Sequence, residues 1–183
     1  MRVLFLGTGD IAIPSFRWIA NSPKHELVGL VTQPDKPSGR KMTPRPPEIK
    51  VIAEELGGIP VLQPERIRRC EEELKELSAD IFVVMAYGQI LPRKVLDIPP
   101  VACINLHASI LPRHRGASPI QAAILAGEET SGVTVMHMAE GLDTGDAILS
   151  ENVEITPEET GGSLHDKLAE AANTQSRFYV HDA

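Results

Sequence analysis

Three shortages in this sequence exclude whole classes of protein: it has few cysteines, no long apolar run and no excess of basic charge. The two cysteines, Cys70 and Cys103, are too few and too far apart for a disulfide framework or a CxxC motif, which fits a reducing compartment. No apolar run approaches the roughly 20 residues that a membrane helix needs. The short apolar run before Gly7 lacks the pattern of a signal peptide. We therefore expect a cytoplasmic protein that does not contact a membrane.

The net charge of -7 argues against a protein wrapped in nucleic acid but is compatible with one local basic contact. The segment 33–47 is the candidate for that contact. It contains five prolines and one glycine, which predicts a loop, and Asp35 is its only acid. Its basic residues are Lys36, Arg40, Lys41 and Arg45. Clustered basic side chains attract polyanions, but a solvated loop explains the same composition, and charge alone does not decide between them.

Strand-like and helix-like segments alternate along the chain, whose 183 residues are enough for one domain with a real core. The segment 81–86 is continuously apolar, as expected for a parallel strand covered on both faces. Predicted strands span residues 2–6, 27–32, 81–86, 101–106, 132–138 and 146–155, and predicted helices span about 13–20, 48–56, 65–77, 118–125 and 163–172. This order predicts an α/β protein with a doubly wound, mostly parallel sheet.

Asn105, His107 and Asp143 form a set suited to acyl transfer. Such a reaction needs hydrogen-bond donors for a developing oxyanion and a base for the nucleophile's proton. Asn105 and His107 stand two residues apart at a strand end, so both side chains can point to the same side, where ligands of such sheets bind. Asp143 lies between Gly141 and Gly145, which lets the backbone bring its carboxylate inward. We expect its loop at the same edge if the chain reverses between the flanking strands.

A dinucleotide site is a competing interpretation of the N-terminal segment. The segment 7–12 reads Gly-Thr-Gly-Asp-Ile-Ala and follows a strand, which matches the G-x-G-x-x-A pattern. The acid that should end the second strand is missing, because the nearest carboxylate, Asp35, lies inside the proline-rich segment. A tight turn that needs glycine is the better interpretation.

A metal site and a purely structural histidine are the competing interpretations of His107. The candidate ligands would be His107, His114, His137 and His165. Their spacings match no zinc pattern, and we expect no metal. A lone His107 would more often be a satisfied buried side chain, but its position beside Asn105 favours a catalytic role.

Several stretches resemble the N-terminal catalytic domain of 10-formyltetrahydrofolate-dependent formyltransferases. The matching stretches are residues 32–35, 85–92, 104–121 and 132–147. The pattern Asn-x-His-x-Ser-x-Leu-Pro with a later Gly-Leu-Asp-Thr-Gly is specific for this family. The runs 111–119 and 32–35 favour the branch of the family that acts on tRNA over the purine-biosynthesis branch.

The resemblance implies a Rossmann-like formyltransferase fold and a set of site residues. It implies that Asn105, His107 and Asp143 are catalytic and that 10-formyltetrahydrofolate is the co-substrate. The folate-binding residues would be Ser109, Ile110, Leu111 and Pro112, with the backbone of Tyr87, Gly88, Gln89, Ile90 and Leu91 lining the pterin pocket. The loop at Gly39, Arg40 and Lys41 would contact the acceptor stem of initiator Met-tRNA. The implied activity is formylation of the methionine α-amino group in translation initiation.

The resemblance also sets boundaries and leaves alternatives open. It implies a catalytic domain at 1–172, a divergent tail at 173–183, and no counterpart of the family's C-terminal tRNA-binding domain. We expect a monomer. The alternatives are formyl transfer to another amine, such as an amino sugar or glycinamide ribonucleotide, and a folate-binding module without transfer activity.

Overall fold

A computed structural model describes residues 1–38 and 42–182 of the protein, and its centre is a seven-stranded sheet. The strands are β1 (Arg2–Gly7), β2 (Glu26–Val31), β3 (Lys36–Ser38), β4 (Thr43–Arg45), β5 (Val61–Leu62), β6 (Ile81–Met85), β7 (Ala102–His107), β8 (Thr130–His137) and β9 (Ala147–Glu154). The helices are α1 (Ile13–Ala20), α2 (Glu48–Leu56), α3 (Glu71–Glu76), α4 (Arg93–Leu96), α5 (Pro119–Leu125) and α6 (Gly161–Asp182). Short 3-10 turns span Asp10–Ala12 and Ile67–Arg69.

The sheet has the strand order β5-β2-β1-β6-β7-β8-β9, and β3 pairs with β4 in a separate ribbon. The first five strands in this sheet order, from β5 to β7, pair in parallel. β8 runs antiparallel to β7, and β9 runs antiparallel to β8. The predicted doubly wound, mostly parallel sheet is therefore confirmed. The antiparallel pair at one edge reverses the chain next to β7.

Apolar clusters cover both faces of the parallel strands. In β1, Val3 and Phe5 point into one cluster, and Leu4 and Leu6 point into the other. Successive strand residues face opposite sides, so a strand buried on both sides needs an unbroken apolar run. This requirement explains the continuous apolar segment at 81–86, whose β6 residues are all buried.

The predicted helix at 65–77 is wrong, because the structure divides this segment into a 3-10 turn and the short helix α3. Cys70 separates the two with φ -114° and ψ 20°, outside helical values. The apolar side chains Ile67, Cys70 and Leu74 still point into one core cluster. β5 and α4 were not predicted, because two to four residues are too few to show a period.

The segment 33–47 is not a simple loop, because β3 and β4 pair within it as an antiparallel hairpin. Pro37 and Pro44 lie opposite each other in this hairpin. Proline cannot donate to a ladder, so this pair is tolerated only where the ribbon needs no hydrogen bond from either residue. The predicted tRNA contacts Arg40 and Lys41 lie outside the described residues.

The last helix does not end at Ala172 as predicted, because α6 continues to Asp182. Ser176 and Val180 are fully buried, and Val180 belongs to the larger apolar cluster. The segment predicted as a divergent tail thus packs on the core through residue 180. The domain boundary at 172 stays a prediction. In the two described stretches of the chain, no helix combines the length and apolarity that crossing a bilayer requires.

Candidate active site

A cavity of about 510 Å³ opens where β6 and β7 end. Its size is that of a small-molecule site, which typically encloses about 300 to 1,000 Å³. The lining comes from the ends of β6 and β7, the loop after β6, the start of α5, the β8–β9 loop, the turn after β1 and His165 of α6. The cavity therefore lies at the carboxyl edge of the parallel strands, where such sheets bind ligands.

β7 carries Asn105 and His107 into this cavity, as their two-residue spacing predicts. His107 is 6% exposed, and Asn105 is half-buried. Both residues pair with β8, opposite Met136 and Thr134 respectively, so the strand ladder fixes their backbone.

Asp143 reaches both side chains by a route that differs from the expected one. Because β8 is antiparallel, the β8–β9 loop starts beside the first half of β7, where the Met138 N–H donates to the Cys103 carbonyl at 2.9 Å. The loop then returns along β7. Asp143 Oδ1 accepts from Asn105 Nδ2 at 3.4 Å, and Oδ2 lies 3.6 Å from His107 Nδ1. Asp143 has φ 52°, a left-handed conformation that is uncommon outside glycine.

The hydrogen bonds of His107 define its orientation. Nε2 lies 3.0 Å from the His114 carbonyl oxygen, which can only accept, so Nε2 carries a hydrogen. Nδ1 faces the Asp143 carboxylate, and a bare lone pair on this nitrogen would be repelled by that oxygen. Both ring nitrogens of His107 therefore face an oxygen that can accept a hydrogen bond.

The loop after β6 forms one wall of the cavity, and its five predicted residues, Tyr87, Gly88, Gln89, Ile90 and Leu91, all contribute to the lining. The Tyr87 carbonyl accepts from the Thr8 hydroxyl at 3.0 Å and from Gln33 Nε2 at 3.2 Å. The Gln89 side-chain amide accepts from the Ile67 N–H at 2.8 Å and donates to the Pro64 carbonyl at 3.0 Å. Hydrogen bonds from several segments of the chain therefore hold this wall in place.

The glycine turn after β1 is part of this bracing. The N–H groups of Thr8 and Gly9 both donate to the Ala86 carbonyl, at 3.2 and 3.3 Å. These are the groups that a dinucleotide pyrophosphate would need at a helix start. A Cβ at Gly7 would stand 3.1 Å from the Met85 carbonyl oxygen, so glycine allows close approach of β1 to β6. The geometry favours the tight turn over a dinucleotide site.

The segment 109–112 does not contribute to the cavity lining among the described residues. The Ser109 hydroxyl donates to the Arg113 carbonyl at 2.7 Å, and the Ser109 carbonyl accepts from the Thr134 hydroxyl at 2.7 Å. The Leu111 N–H donates to the same hydroxyl at 3.1 Å. These bonds brace the loop that follows His107, and folate contact by Ser109, Ile110, Leu111 and Pro112 stays a prediction.

Sequence reasoning missed two polar features of the cavity. The Gly116 N–H donates to Asp143 Oδ2 at 2.8 Å, and a backbone donor has no sequence signal. His165 lies between Asp10 and Asp166, with each ring nitrogen 3.0 Å from a carboxylate oxygen. Burial alone would lower the pKa of His165, but the hydrogen bonds to Asp166 and Asp10 outweigh it, and the net shift is upward.

The four histidines considered as metal ligands do not form a cluster. His107 and His165 line the cavity, His114 lies 2.9 Å from Glu128, and His137 packs edge-on against Tyr179. In the part of the chain that the structure describes, no three His, Cys, Asp or Glu side chains are grouped as a metal site would require.

Tyr87→Phe is expected to stabilise the protein by about 1 kcal/mol, since a buried hydroxyl without a partner costs roughly 1–3 kcal/mol. The Tyr87 ring is 2% exposed in the core, and its hydroxyl has no hydrogen-bond partner among the described residues. Burial also raises the pKa of Tyr87. Urea unfolding measures the change. Tyr179→Phe is the matched control, because Tyr179 is only half-buried, and a loss of stability in Tyr87→Phe would contradict the expectation.

Comparison with known proteins shows which proteins this chain resembles. The family model described as "Formyl transferase" matches residues 1–178. A methionyl-tRNA formyltransferase of Akkermansia muciniphila is 53% identical over 171 residues, covering 92% of this chain and 54% of the relative. One of Geotalea daltonii is 48% identical over 171 residues, with the same coverage of 92% and 54%.

The solved structures agree in fold. The phosphoribosylglycinamide formyltransferase of Bacillus halodurans superposes with a TM-score of 0.76 at 25% identity, over 95% of this chain and 90% of that one. The chain spans about half the length of the curated relatives it matches. A family match over nearly the whole chain, together with relatives of about 50% identity, confirms the resemblance seen in the motifs. The chain belongs to the formyl transferase family.

Proposed function

We propose that this chain transfers the formyl group of 10-formyltetrahydrofolate to the α-amino group of methionine on initiator Met-tRNA. The observation that carries the proposal is the convergence of Asn105, His107 and Asp143 in one cavity. The relatives named methionyl-tRNA formyltransferase, at about 50% identity, support this acceptor over other amines.

The lining of the cavity supports a folate as the co-substrate. Within the described residues, the backbone polar groups of Gly88 to Ile90 make no hydrogen bond, so they are available to the donors and acceptors of a planar heterocycle. Ile90 is 71% and Leu142 56% exposed, and both line the cavity, where they could cover an aromatic ring. 10-Formyltetrahydrofolate supplies a formyl group on a nitrogen that can leave.

Asn105 and His107 would stabilise negative charge on the formyl oxygen. One N–H of the Asn105 amide points to Asp143, and the other is available to the formyl oxygen. The His107 Nε2 hydrogen is held by the His114 carbonyl, which is neutral. A developing oxyanion is the stronger acceptor, so His107 would donate to it when the reaction begins.

Asp143 would transfer the proton from the attacking amine to the leaving nitrogen. As the amine lone pair attacks the formyl carbon, Asp143 accepts a proton from the amine, directly or through water. The proton then goes to N10 of the folate as the bond between N10 and the formyl carbon breaks. The Gly116 N–H and the His107 ring hold the carboxylate in place for both transfers.

The β3–β4 hairpin is the proposed contact for tRNA. Lys36 and Arg45 pair across it and are exposed, whereas Lys50 is neutralised by Asp35 at 3.0 Å. Exposed positive charge on an acidic protein supports a local phosphate contact. The proposal extends this contact to Arg40 and Lys41, outside the described residues.

The test is formylation of charged initiator tRNA by this polypeptide with 10-formyltetrahydrofolate, alone and with the C-terminal half of a longer relative added. We expect transfer to the methionine amine, strengthened by the added half. Glycinamide ribonucleotide and an amino sugar serve as competing acceptors. Faster transfer to either competitor would reassign the acceptor. Folate binding without transfer to any amine would make the chain a folate-binding module.

A further inference from the structure

One short loop contacts both members of the His107–Asp143 pair. This loop, residues 113–116, gives the His114 carbonyl to His107 Nε2 at 3.0 Å and the Gly116 N–H to Asp143 Oδ2 at 2.8 Å. The same Asp143 oxygen faces His107 Nδ1 at 3.6 Å. The loop therefore sets the rotation of the imidazole and the position of the carboxylate together.

The loop holds an unusual conformation at both contact residues. His114 has φ 52° and Gly116 has φ 105°, both in the left-handed region. Glycine adopts such angles freely, whereas a left-handed His114 costs on the order of 1 kcal/mol unless its surroundings hold it. Something must therefore fix His114 if its carbonyl is to stay aimed at His107.

Glu128 is the acidic side chain in contact with the His114 ring. Glu128 Oε1 lies 2.9 Å from His114 Nε2, and both side chains are only 20% exposed. The carboxylate and the ring are in direct contact at this distance, although the angle is not that of a hydrogen bond. The backbone of Glu128 is itself anchored, because its N–H donates to the Ala123 carbonyl of α5 at 3.1 Å. Arg113 lies farther from the carboxylate, at 3.7 Å, and is mostly exposed, so it adds little.

We propose that Glu128 is a positioning residue for the transfer reaction, acting on His107 through the His114 ring and carbonyl. The inference rests on the proposed function for its catalytic consequence. Its structural part, that Glu128 sets the orientation of the His107 ring, stands independently of any activity. Glu128 does not line the cavity and touches neither substrate, so its loss should change kcat rather than folate binding.

Four variants of the full chain test the proposal. Glu128→Gln keeps the size and removes the charge, and His114→Ala removes the ring but keeps the carbonyl. We expect each to lower kcat by about 10-fold, less than the roughly 10²-fold that a 1 Å misplacement of a reacting group costs, with KM for folate unchanged. The double variant should lose no more than either single variant, because the two side chains act in series. Glu129→Gln is the matched control, since Glu129 is an exposed neighbour.

A second measurement separates this proposal from the proposed function. The ¹⁵N shifts of the His107 imidazole, recorded without substrates, should change in Glu128→Gln and stay as in wild type in Glu129→Gln. If wild type transfers formyl but Glu128→Gln changes neither kcat nor these shifts, the proposal is overturned. A rise in the kcat of Glu128→Gln would also overturn the proposal, because the contact with Glu128 would then hold His107 in a less productive orientation. A shift change in a chain that transfers formyl to no acceptor would refute the proposed function and leave the positioning of His107 supported.

Discussion

Replacing His107 with alanine is expected to lower kcat for formyl transfer by about 10² to 10³, the usual cost of losing one donor to a developing oxyanion. Asn105→Ala should cause a loss of the same order, because its amide is the second donor that we propose. Both side chains meet Asp143 in the cavity, at 3.4 Å from Asn105 and 3.6 Å from the His107 ring. Single-turnover formylation with saturating folate measures the chemical step directly.

The fold should survive both replacements. His107 and Asn105 lie at the cavity surface of β7. Both pair with β8, and Asn105 also pairs with β6, through the backbone rather than the side chains. Thermal unfolding provides the check. His137→Ala is the matched control, since His137 is exposed and does not line the cavity. Transfer near the wild-type rate by His107→Ala or Asn105→Ala would remove that residue from the oxyanion-stabilising role.

The parts of the fold with a clear sequence signal are those buried on two faces. β1 and β6 are unbroken apolar runs because helices cover both sides, so the sequence predicts their positions almost to the residue. The hairpin β3–β4 and the length of α6 were missed for physical reasons. Prolines mask strand character in a ribbon that needs few ladder bonds, and the buried side chains in 173–180 are Asn173, Ser176 and Val180, which are too few to show a period.

Some parts of the candidate site could also be predicted from the sequence, and others could not. Asn105 and His107 could be placed together because one strand fixes their relative positions. The His165–Asp10 contact joins residues 155 positions apart, and no local pattern encodes it. The Gly116 donor is a backbone group, so its role depends on loop geometry alone. The sequence therefore predicts the relative positions of functional side chains on one strand better than it predicts contacts between separate loops.

Part of the family resemblance reflects structure rather than chemistry. Gln33, from the Thr-Gln-Pro-Asp run, donates to the carbonyl of Tyr87, from the stretch that forms the cavity wall. Gln63 then donates to the Gln33 carbonyl at 2.8 Å and to Asp35 at 2.7 Å. These bonds tie the base of the β3–β4 hairpin to the wall. The Thr-Gln-Pro-Asp run and the stretch that forms the cavity wall are distant in sequence. Hydrogen bonds through Gln33 connect them in the fold.

Gly145→Ala is expected to have the second large effect, on both activity and stability. A Cβ at this position would stand 1.7 Å from the His137 carbonyl oxygen, a contact that no side-chain rotation relieves. His137 ends β8, and its N–H donates to the Asp146 carbonyl at 2.9 Å, so the strand end cannot retreat without losing that bond. The β8–β9 loop must move instead, and Asp143 lies only two residues before the substitution. We expect kcat to fall by at least about 10²-fold, as for a 1 Å misplacement of a reacting group.

The same substitution should lower the free energy of unfolding by about 1–3 kcal/mol, the usual cost of overpacking. Gly161→Ala is the matched control, because a Cβ there meets no atom within 4 Å. Urea unfolding and single-turnover formylation of both variants give the two quantities. A Gly145→Ala protein with wild-type stability and rate would mean that the loop accepts the methyl group without moving Asp143. The close backbone contact between Gly145 and His137 would then not be what holds the carboxylate beside His107.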